Sequence, residues 1–288
     1  MEFLNFLNLS EPMQIMDVGA SAISEVPIYK VLLDMHLAQL NAFEGDLRQI
    51  EAIQKNYGDH ATIYKDFLFD GSQQTLYLAS GPSGMTSLLK PDLAALQFFN
   101  GFETFGHVEK TEQINTQRMD DIEGLPLIDF LKMDIQGAEL TVLKNGTEKL
   151  KNCVAVQLEV SYICLYENQP SFGEIDVWMR SQGFVPHCFL DIKRWSIKPT
   201  IFNNSFRYPG NQLLESDIVY VKNPMRPSEF SDMQLKKLAA MAHYCFKSHD
   251  LCVLVLLELE RRQHIEPNAH QIYLASLANP GPADPVAS

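Results

Sequence analysis

Three acidic residues each lie between a short apolar run and a turn: Asp17, Glu44 and Asp134. Short apolar runs that end at glycine-containing turns predict buried strands. The carboxyl ends of parallel strands meet at one edge of a sheet, where open α/β folds bind their ligands. The sequence therefore predicts one crevice, lined by these acids, for a polar nucleoside-like ligand.

The elements that would position these acids alternate between strand and helix from residue 13 to about residue 190. Such alternation indicates βαβ units on a mainly parallel sheet. A helix is expected over 26–34, and Asp70-Gly71 predicts a hairpin between strands at 61–67 and 75–80. A long loop is expected over 191–215, before a final strand.

The pattern changes after Asn223-Pro224. Ser231 and Gln234 match a capping box, and three short helices are expected between residues 231 and 277. We therefore divide the chain into a sheet domain at 1–223, a small C-terminal helical appendage at 224–278, and a tail at 279–288 that is expected to be disordered.

Composition excludes several classes of protein. The net charge is −13, from 23 basic and 36 acidic residues, and no run of Lys or Arg offers a patch for nucleic acid. No window reaches the ~18 consecutive apolar residues of a membrane span, and the amino end lacks the basic region of a secretory signal. A cytoplasmic location is expected. The five scattered cysteines predict neither a disulfide framework nor a zinc site, and no ligand spacing demands another metal.

Four segments, in order along the chain, resemble the FkbM family of S-adenosylmethionine-dependent methyltransferases. They are Asp17-Val18-Gly19-Ala20-Ser21, Phe43-Glu44-Gly45-Asp46, the long block from Asp129 to Leu140, and Gln157-Leu158-Glu159-Val160 through Leu165-Tyr166. The resemblance covers about residues 13–222. It implies a Rossmann-like class I methyltransferase sheet, mainly parallel with a late antiparallel hairpin, for the domain at 1–223. Two positions depart from the pattern: Ile23, where many such enzymes have glycine, and Gln136, where Glu is usual.

The resemblance also implies S-adenosylmethionine as the cofactor and assigns residues to it. These are Asp17, Gly19, Ala20, Ser21, Glu44, Asp66, Phe67, Asp134 and Gln136. The methionine part would lie over the Gly19 turn, Glu44 would accept both ribose hydroxyls, and Phe67 would flank the adenine. Purely structural roles stay open for three of them, because Glu44 could be a solvated strand-end acid, Phe67 a core residue and Asp134 a helix cap.

Methyl transfer to a hydroxyl needs a general base, which contributes typically ~10²–10⁴-fold to the rate. Asp134, Glu159 and His187 are the candidates, and Asp134 is preferred because a lone histidine in a strand is more often structural. Lys132 is expected to snorkel at an edge. The acceptor would contact the segments at 81–92, 161–170 and 191–215, whose aromatic, amide and guanidinium groups suit a sugar.

The sequence thus predicts an O-methyltransferase that acts on a hydroxyl of a sugar, glycan or natural-product acceptor. A NAD-dependent oxidoreductase is disfavoured because residues 17–23 lack the three-glycine pyrophosphate turn. The remaining alternative is a non-catalytic methyltransferase-like module that presents its helical tail to a protein partner. The same helices could also form a homodimer. Binding of S-adenosylmethionine distinguishes an enzyme from such a module.

Overall fold

The computed structural model describes residues 2–20, 26–45, 47–80 and 84–278. The strands within these residues are β1 (Met13–Val18), β2 (Ala38–Phe43), β3 (Ala61–Tyr64), β4 (Phe67–Leu68), β5 (Gln73–Ala79), β6 (Val108–Gln117), β7 (Phe130–Met133), β8 (Ala155–Ser161), β9 (Phe184–Trp195) and β10 (Gln212–Lys222). The helices are α1 (Glu2–Leu7), α2 (Lys30–Asp34), α3 (Leu47–Tyr57), α4 (Leu93–Phe98), α5 (Phe102–Phe105), α6 (Glu139–Lys144), α7 (Phe172–Ser181), α8 (Asp232–Tyr244), α9 (His249–Arg261) and α10 (Ala269–Ala278). No helix in these described parts is long and apolar enough to cross a membrane.

Seven strands form the main sheet, in the order β3-β2-β1-β7-β8-β10-β9. The first five strands in this order are parallel, and β10 and β9 are antiparallel to their neighbours. This arrangement confirms the predicted parallel sheet with a late antiparallel hairpin. The carboxyl ends of β1, β2, β7 and β8 lie along one edge of the sheet. Polar and acidic side chains, among them Asp134, Gln136 and Glu159, lie at that edge.

Alternating side chains of the central strands fill two hydrophobic cores, one on each face of the sheet. On one face, Leu131 and Leu158 pack with buried residues of α6 and α7. On the other face, Ile15 and Phe130 pack with buried residues of α1, α8 and α9. Successive side chains of a strand point to opposite faces of the sheet. The helices α6 and α7 therefore lie on one face, and α1, α8 and α9 lie on the other.

The C-terminal helices share the core of the sheet. The helix between β1 and β2, α2, has only five residues, so it covers little of its face, and α8 and α9 supply the cover. Lys237 of α8 is buried and donates to Asp129 (2.8 Å) and Glu11 (2.9 Å), both in the sheet domain. The predicted helices are present and pack on the sheet, while the division of the chain at residue 223 stays a prediction.

The hairpin predicted at Asp70-Gly71 is wrong. β4 and β5 do not pair with each other, because the long strand β6 lies between them, parallel to β4 and antiparallel to β5. The acid instead closes a local turn, since Asp70 Oδ1 accepts from the backbone N–H of Ser72 (3.0 Å).

Two other predicted boundaries also change. The expected loop at 191–215 shortens to 196–211, because β9 and β10 extend their pairing to Trp195 and Gln212. In the expected helix over 26–34, helical structure begins only at Lys30.

Candidate active site

The turn after β1 packs against the carboxyl ends of the two neighbouring strands, β2 and β7. Gly19 has φ +78°, and a Cβ atom at this position would lie 2.1 Å from the backbone oxygen of Asp134. The Gly19 N–H donates to the carbonyl of Phe43 at the end of β2 (3.1 Å). Glycine is therefore required both for the left-handed conformation and for the close approach of the β7 turn. Ala20 follows as a buried residue, and Ser21 lies outside the described residues.

Asp17 is buried beneath this turn and has two partners. The hydroxyl of Tyr29 donates to Asp17 Oδ2 (2.5 Å), and Nζ of Lys132 lies 3.3 Å from Oδ1. Burial alone would lower the pKa of Lys132, but Asp17 and Asp134 outweigh it and hold that pKa above its ordinary value. The expectation that Lys132 snorkels at an edge is wrong, because its side chain is buried in the central strand as the partner of an acid.

Gln136 joins Asp134, which follows β7, to Glu159, which lies near the end of β8. Its Nε2 donates to Asp134 Oδ1 (2.9 Å) and to Glu159 Oε2 (2.8 Å), which uses both amide hydrogens. Its Oε1 accepts from the hydroxyl of Tyr166 (2.9 Å), and its backbone oxygen accepts from Ser87 (2.7 Å). Gln136 itself has φ +58°, an uncommon conformation for a residue other than glycine. A residue in a strained conformation whose side-chain amide both donates and accepts hydrogen bonds is typical of a preorganised site.

The carboxyl group of Glu159 is buried among other charges. Burial raises its pKa well above the ordinary value, and the neighbouring Asp134 and Glu215 raise it further. Lys193 of β9 lies 3.3 Å from Glu159 and 2.7 Å from Glu215. Burial would lower the pKa of Lys193, but these two acids outweigh it and keep the ammonium protonated. Of the two acids, Glu215 is closer to Lys193 and forms the ion pair with it. Glu159 is the acid whose pKa is raised.

Glu139, at the start of α6, holds the turn that carries Gln136. Its carboxyl group accepts from the backbone N–H groups of Ile135 (3.0 Å) and Gly137 (3.2 Å). The side chain is fully buried, and burial raises its pKa to about 7. The glutamate that sequence reasoning left without a role therefore stabilises the central turn, and its place in the long block from Asp129 to Leu140 was the signal that could have revealed it.

This buried glutamate predicts a stability that depends on pH. The pKa of Glu139 rises from an ordinary value of 4.5 to about 7 in the folded protein, so between these values the folded state holds more protons than the unfolded state. The free energy of unfolding should therefore fall as pH rises, by on the order of 2 kcal/mol between about pH 5 and pH 8. Urea denaturation of the wild type and of Glu139→Gln at several pH values tests this, with the exposed Glu148→Gln as the control. If Glu139→Gln shows the same slope as the wild type, Glu139 is not responsible for it.

The acids and the aromatic ring assigned to the ribose and adenine lie together beyond β2. Glu44 is half-buried at the end of β2 and accepts from the N–H of Gly45 (2.8 Å). Phe67 stands over the same turn, since its ring edge lies 3.6 Å from where a Cβ atom of Gly45 would be. Asp66 accepts from the amide of Gln117 (2.5 Å). Because Phe67 is exposed, core packing does not explain its position.

His187 is not brought to this edge. The preceding residue, Pro186, pairs with Tyr220, which in turn pairs with Val156 near the start of β8. His187 therefore lies toward the opposite end of the sheet, where its ring centre is 6.1 Å from that of Phe246 and burial lowers its pKa. It is too far along the antiparallel strand to join Asp134 and Glu159.

Three residues beside the acids were not named individually from the sequence, although each lies in a segment assigned to the acceptor: Ser87, Tyr166 and Lys193. Tyr166 belongs to the segment that carried the family resemblance, which was a usable signal. Lys193 gave none, because only the register of β9 on β10 brings it to Glu159. Within the described ranges, no group of three or more His, Cys, Asp or Glu side chains is arranged to hold a metal ion.

A sheet of this strand order, with its last two strands antiparallel and acids at its carboxyl edge, defines a Rossmann-like class I methyltransferase fold. The sequence pattern of the methyltransferase FkbM domain matches residues 35–186, which is more than half of the chain. The chain belongs to the FkbM methyltransferase family. The match begins after the Gly19 turn and ends before His187, so Asp134, Gln136 and Glu159 lie inside it.

Solved structures with similar folds are distant in sequence. The precorrin-6y C5,15-methyltransferase from Geobacter metallireducens GS-15 is 12% identical, with a TM-score of 0.37, over 76% of this chain and 85% of that one. The magnesium protoporphyrin IX methyltransferase from Synechocystis PCC 6803, solved with bound S-adenosylmethionine, is 9% identical, with a TM-score of 0.36, over 77% and 74%. Among curated proteins no match was found. Similarities this distant bear on neither activity nor substrate, and the family assignment rests on the sequence match.

Proposed function

We propose that this protein is an S-adenosylmethionine-dependent O-methyltransferase that acts on a hydroxyl of a sugar, glycan or natural-product acceptor. The observation that carries the proposal is the Gln136 bridge. It holds the carboxyl groups of Asp134 and Glu159 side by side at the edge of the sheet, next to the Gly19 turn.

The residues at this edge fit S-adenosylmethionine. When bound, this cofactor supplies a methyl group on a positively charged sulfonium, and an edge lined by carboxyl groups suits a cation. The turn at Gly19 would hold the methionine part, and Glu44 would accept hydrogen bonds from the ribose hydroxyls. Phe67, exposed beside Gly45, offers an aromatic face to the adenine.

Asp134 is the group we propose as general base. It is half-buried, and among the described residues Gln136 is the one side chain that donates a hydrogen bond to it, at Oδ1, so we assign the other oxygen to the acceptor. An acceptor hydroxyl has a pKa far above 7 and must lose its proton as the new bond forms. Asp134 would accept that proton, while Gln136 and the neighbouring Glu159 fix the orientation of its carboxyl group.

Residues from three segments that the sequence assigned to the acceptor contact this arrangement. Ser87 and Tyr166 hydrogen-bond to Gln136, and Lys193 contacts Glu159. These contacts support an acceptor site bounded by the loop around Ser87, the segment after β8 and the end of β9. Polar groups on all sides favour an acceptor rich in hydroxyls.

We expect Glu44→Ala to weaken binding of S-adenosylhomocysteine by about 10- to 100-fold, because hydrogen bonds from two ribose hydroxyls to a charged acceptor are lost. Calorimetric titration measures the dissociation constant directly and needs no acceptor. Glu51→Ala, which removes an exposed acid from α3, is the matched control and should bind as the wild type does. Failure of the wild type to bind S-adenosylhomocysteine would exclude the proposed activity.

The alternative of a non-catalytic module depends on free helices that could meet a partner. The structure weakens it, because α8 and α9 bury Leu238, Leu256 and other apolar residues against the sheet. The same titration distinguishes the two hypotheses, since a scaffold has no need to bind the cofactor.

A further inference from the structure

The chain around the end of β9 differs in charge from the rest of the protein. The whole sequence carries 36 acidic and 23 basic residues. Residues 192–214, in contrast, contain no acid and four bases: Lys193, Arg194, Lys198 and Arg207. This stretch is the longest departure from the acidic character of the chain near the proposed acceptor site, and it includes the loop at 196–211, called the aromatic loop below.

The aromatic loop exposes large apolar side chains. Ile201 is 58% exposed, Tyr208 46%, Phe202 44% and Phe206 42%. Phe202 and Tyr208 are in contact, with ring centres 5.6 Å apart, and Ile201 is next to Phe202 in the chain, so these three exposed groups lie together. Contiguous exposed apolar surface of this kind marks interaction sites.

The loop is held firmly by the helices beneath it. The buried amide of Asn100 donates to Ser196 Oγ (2.9 Å) and to the carbonyl of Thr200 (2.5 Å). The indole of Trp195 donates to the carbonyl of Asn100 (2.8 Å). Phe206 packs so closely on Gly101 that a Cβ atom there would lie 2.8 Å from its ring. The exposed side chains are therefore presented in a fixed arrangement, and docking them requires little further ordering.

Not all four bases are available to a partner. Lys193 pairs with Glu215, and Lys198 pairs with Glu103. Arg207 lies over the rings of Phe105 and Phe206, at 5.5 and 5.6 Å from their centres, and has no acidic partner among the residues that the structure describes. Arg194 is exposed and likewise forms no ion pair there. A guanidinium that contacts aromatic rings can still offer its N–H groups to a phosphate.

We propose that the aromatic loop docks on the surface of an anionic lipid bilayer. Ile201 and Phe202 would enter the boundary between headgroups and acyl chains, and Arg194 and Arg207 would face the lipid phosphates. Exposed aromatic and aliphatic side chains beside unpaired arginines are the composition of interfacial membrane anchors. The local basic charge, in an otherwise acidic protein, is complementary to an anionic surface.

The full-length protein should cosediment with vesicles of phosphatidylcholine that contain about one third phosphatidylglycerol, and at least about tenfold less with pure phosphatidylcholine. Salt should weaken the binding, because the arginine contribution is screened. The double variant Ile201→Ser, Phe202→Ser should bind the anionic vesicles at least about tenfold more weakly, since its apolar contribution is removed. Arg207→Glu should also weaken binding.

Val177→Ser removes a side chain that is 70% exposed on α7, away from the loop, and is the control for loss of surface apolarity. It should bind vesicles as the wild type does. All variants should keep the binding of S-adenosylhomocysteine. Failure of the membrane-docking proposal can therefore be distinguished from failure of the proposed function. The proposal is overturned if the wild type does not bind anionic vesicles, or if the double variant binds equally well. A dimer that the double variant loses, without any vesicle binding, would also overturn it.

Discussion

Asp134→Asn should lower the rate of methyl transfer by about 10²- to 10⁴-fold, the usual contribution of a general base. The substitution keeps the shape of the side chain and removes its ability to accept a proton. Binding of S-adenosylhomocysteine should change little, because the turn and the Gly19 contact with the backbone oxygen of residue 134 remain. The measurement is transfer of a radiolabelled methyl group to whichever member of a panel of glycosides and nucleotide sugars is methylated by the wild type.

Asp121→Asn is the matched control, because it makes the same change at an exposed acid outside the site. It should leave the rate unchanged. Glu159→Gln provides the sharper comparison. If that variant loses more activity than Asp134→Asn, and the pH profile of the residual rate shifts with it, the base is Glu159 and Asp134 only positions it.

Gly19→Ala should destabilise the fold by about 3 kcal/mol or more and abolish binding of S-adenosylhomocysteine. Two effects add. A left-handed alanine costs about 1–2 kcal/mol in any setting. In addition, the new methyl group would meet the carbonyl oxygen of Asp134 at 2.1 Å, so the turns after β1 and β7 must separate. The turns after β1 and β7, which form the proposed cofactor site, would then no longer keep their relative positions.

Gly124→Ala shows the first effect alone, so the difference between the two variants gives the second. Gly124 has φ +75°, nearly the same as Gly19, and a Cβ atom there would have no neighbour within 4 Å. Its variant should lose only about 1–2 kcal/mol and keep full binding. Urea unfolding followed by circular dichroism, with calorimetry on the folded protein, gives both quantities. Equal destabilisation of the two variants would show that the contact with Asp134 can relax.

Much of the fold was predictable because it is encoded locally. The start of α8 was predicted correctly, because Ser231 and Gln234 match a capping box and both hydrogen bonds of that box are present. The family was predictable because a long block with unusual residues, Asp129 to Leu140, is hard to match by chance, and it was confirmed by the sequence match.

What the sequence could not reveal depends on strand direction and register. β9 runs antiparallel to β10, so His187 near its start lies at one end of the sheet and Lys193 near its end lies at the other. No local pattern distinguishes these two positions. Lys132 was misjudged for a related reason: its partner Asp17 is 115 residues away and meets it only across the β1–β7 pairing. The roles assigned to the cofactor residues stay predictions until a ligand is bound.

The packing of α8 and α9 on the sheet has a consequence for how the protein is made. These helices follow the whole sheet in the chain, yet they cover the face that includes Ile15 and Phe130. During synthesis, this apolar face lacks part of its cover until α8 and α9 leave the ribosome, although residues of α1, α2 and α3 also pack on it. Asp129 likewise lacks its buried ion-pair partner until Lys237 has been synthesised. A nascent chain that stalls near residue 230 should therefore be a client for chaperones, even though every strand of the sheet has already been translated.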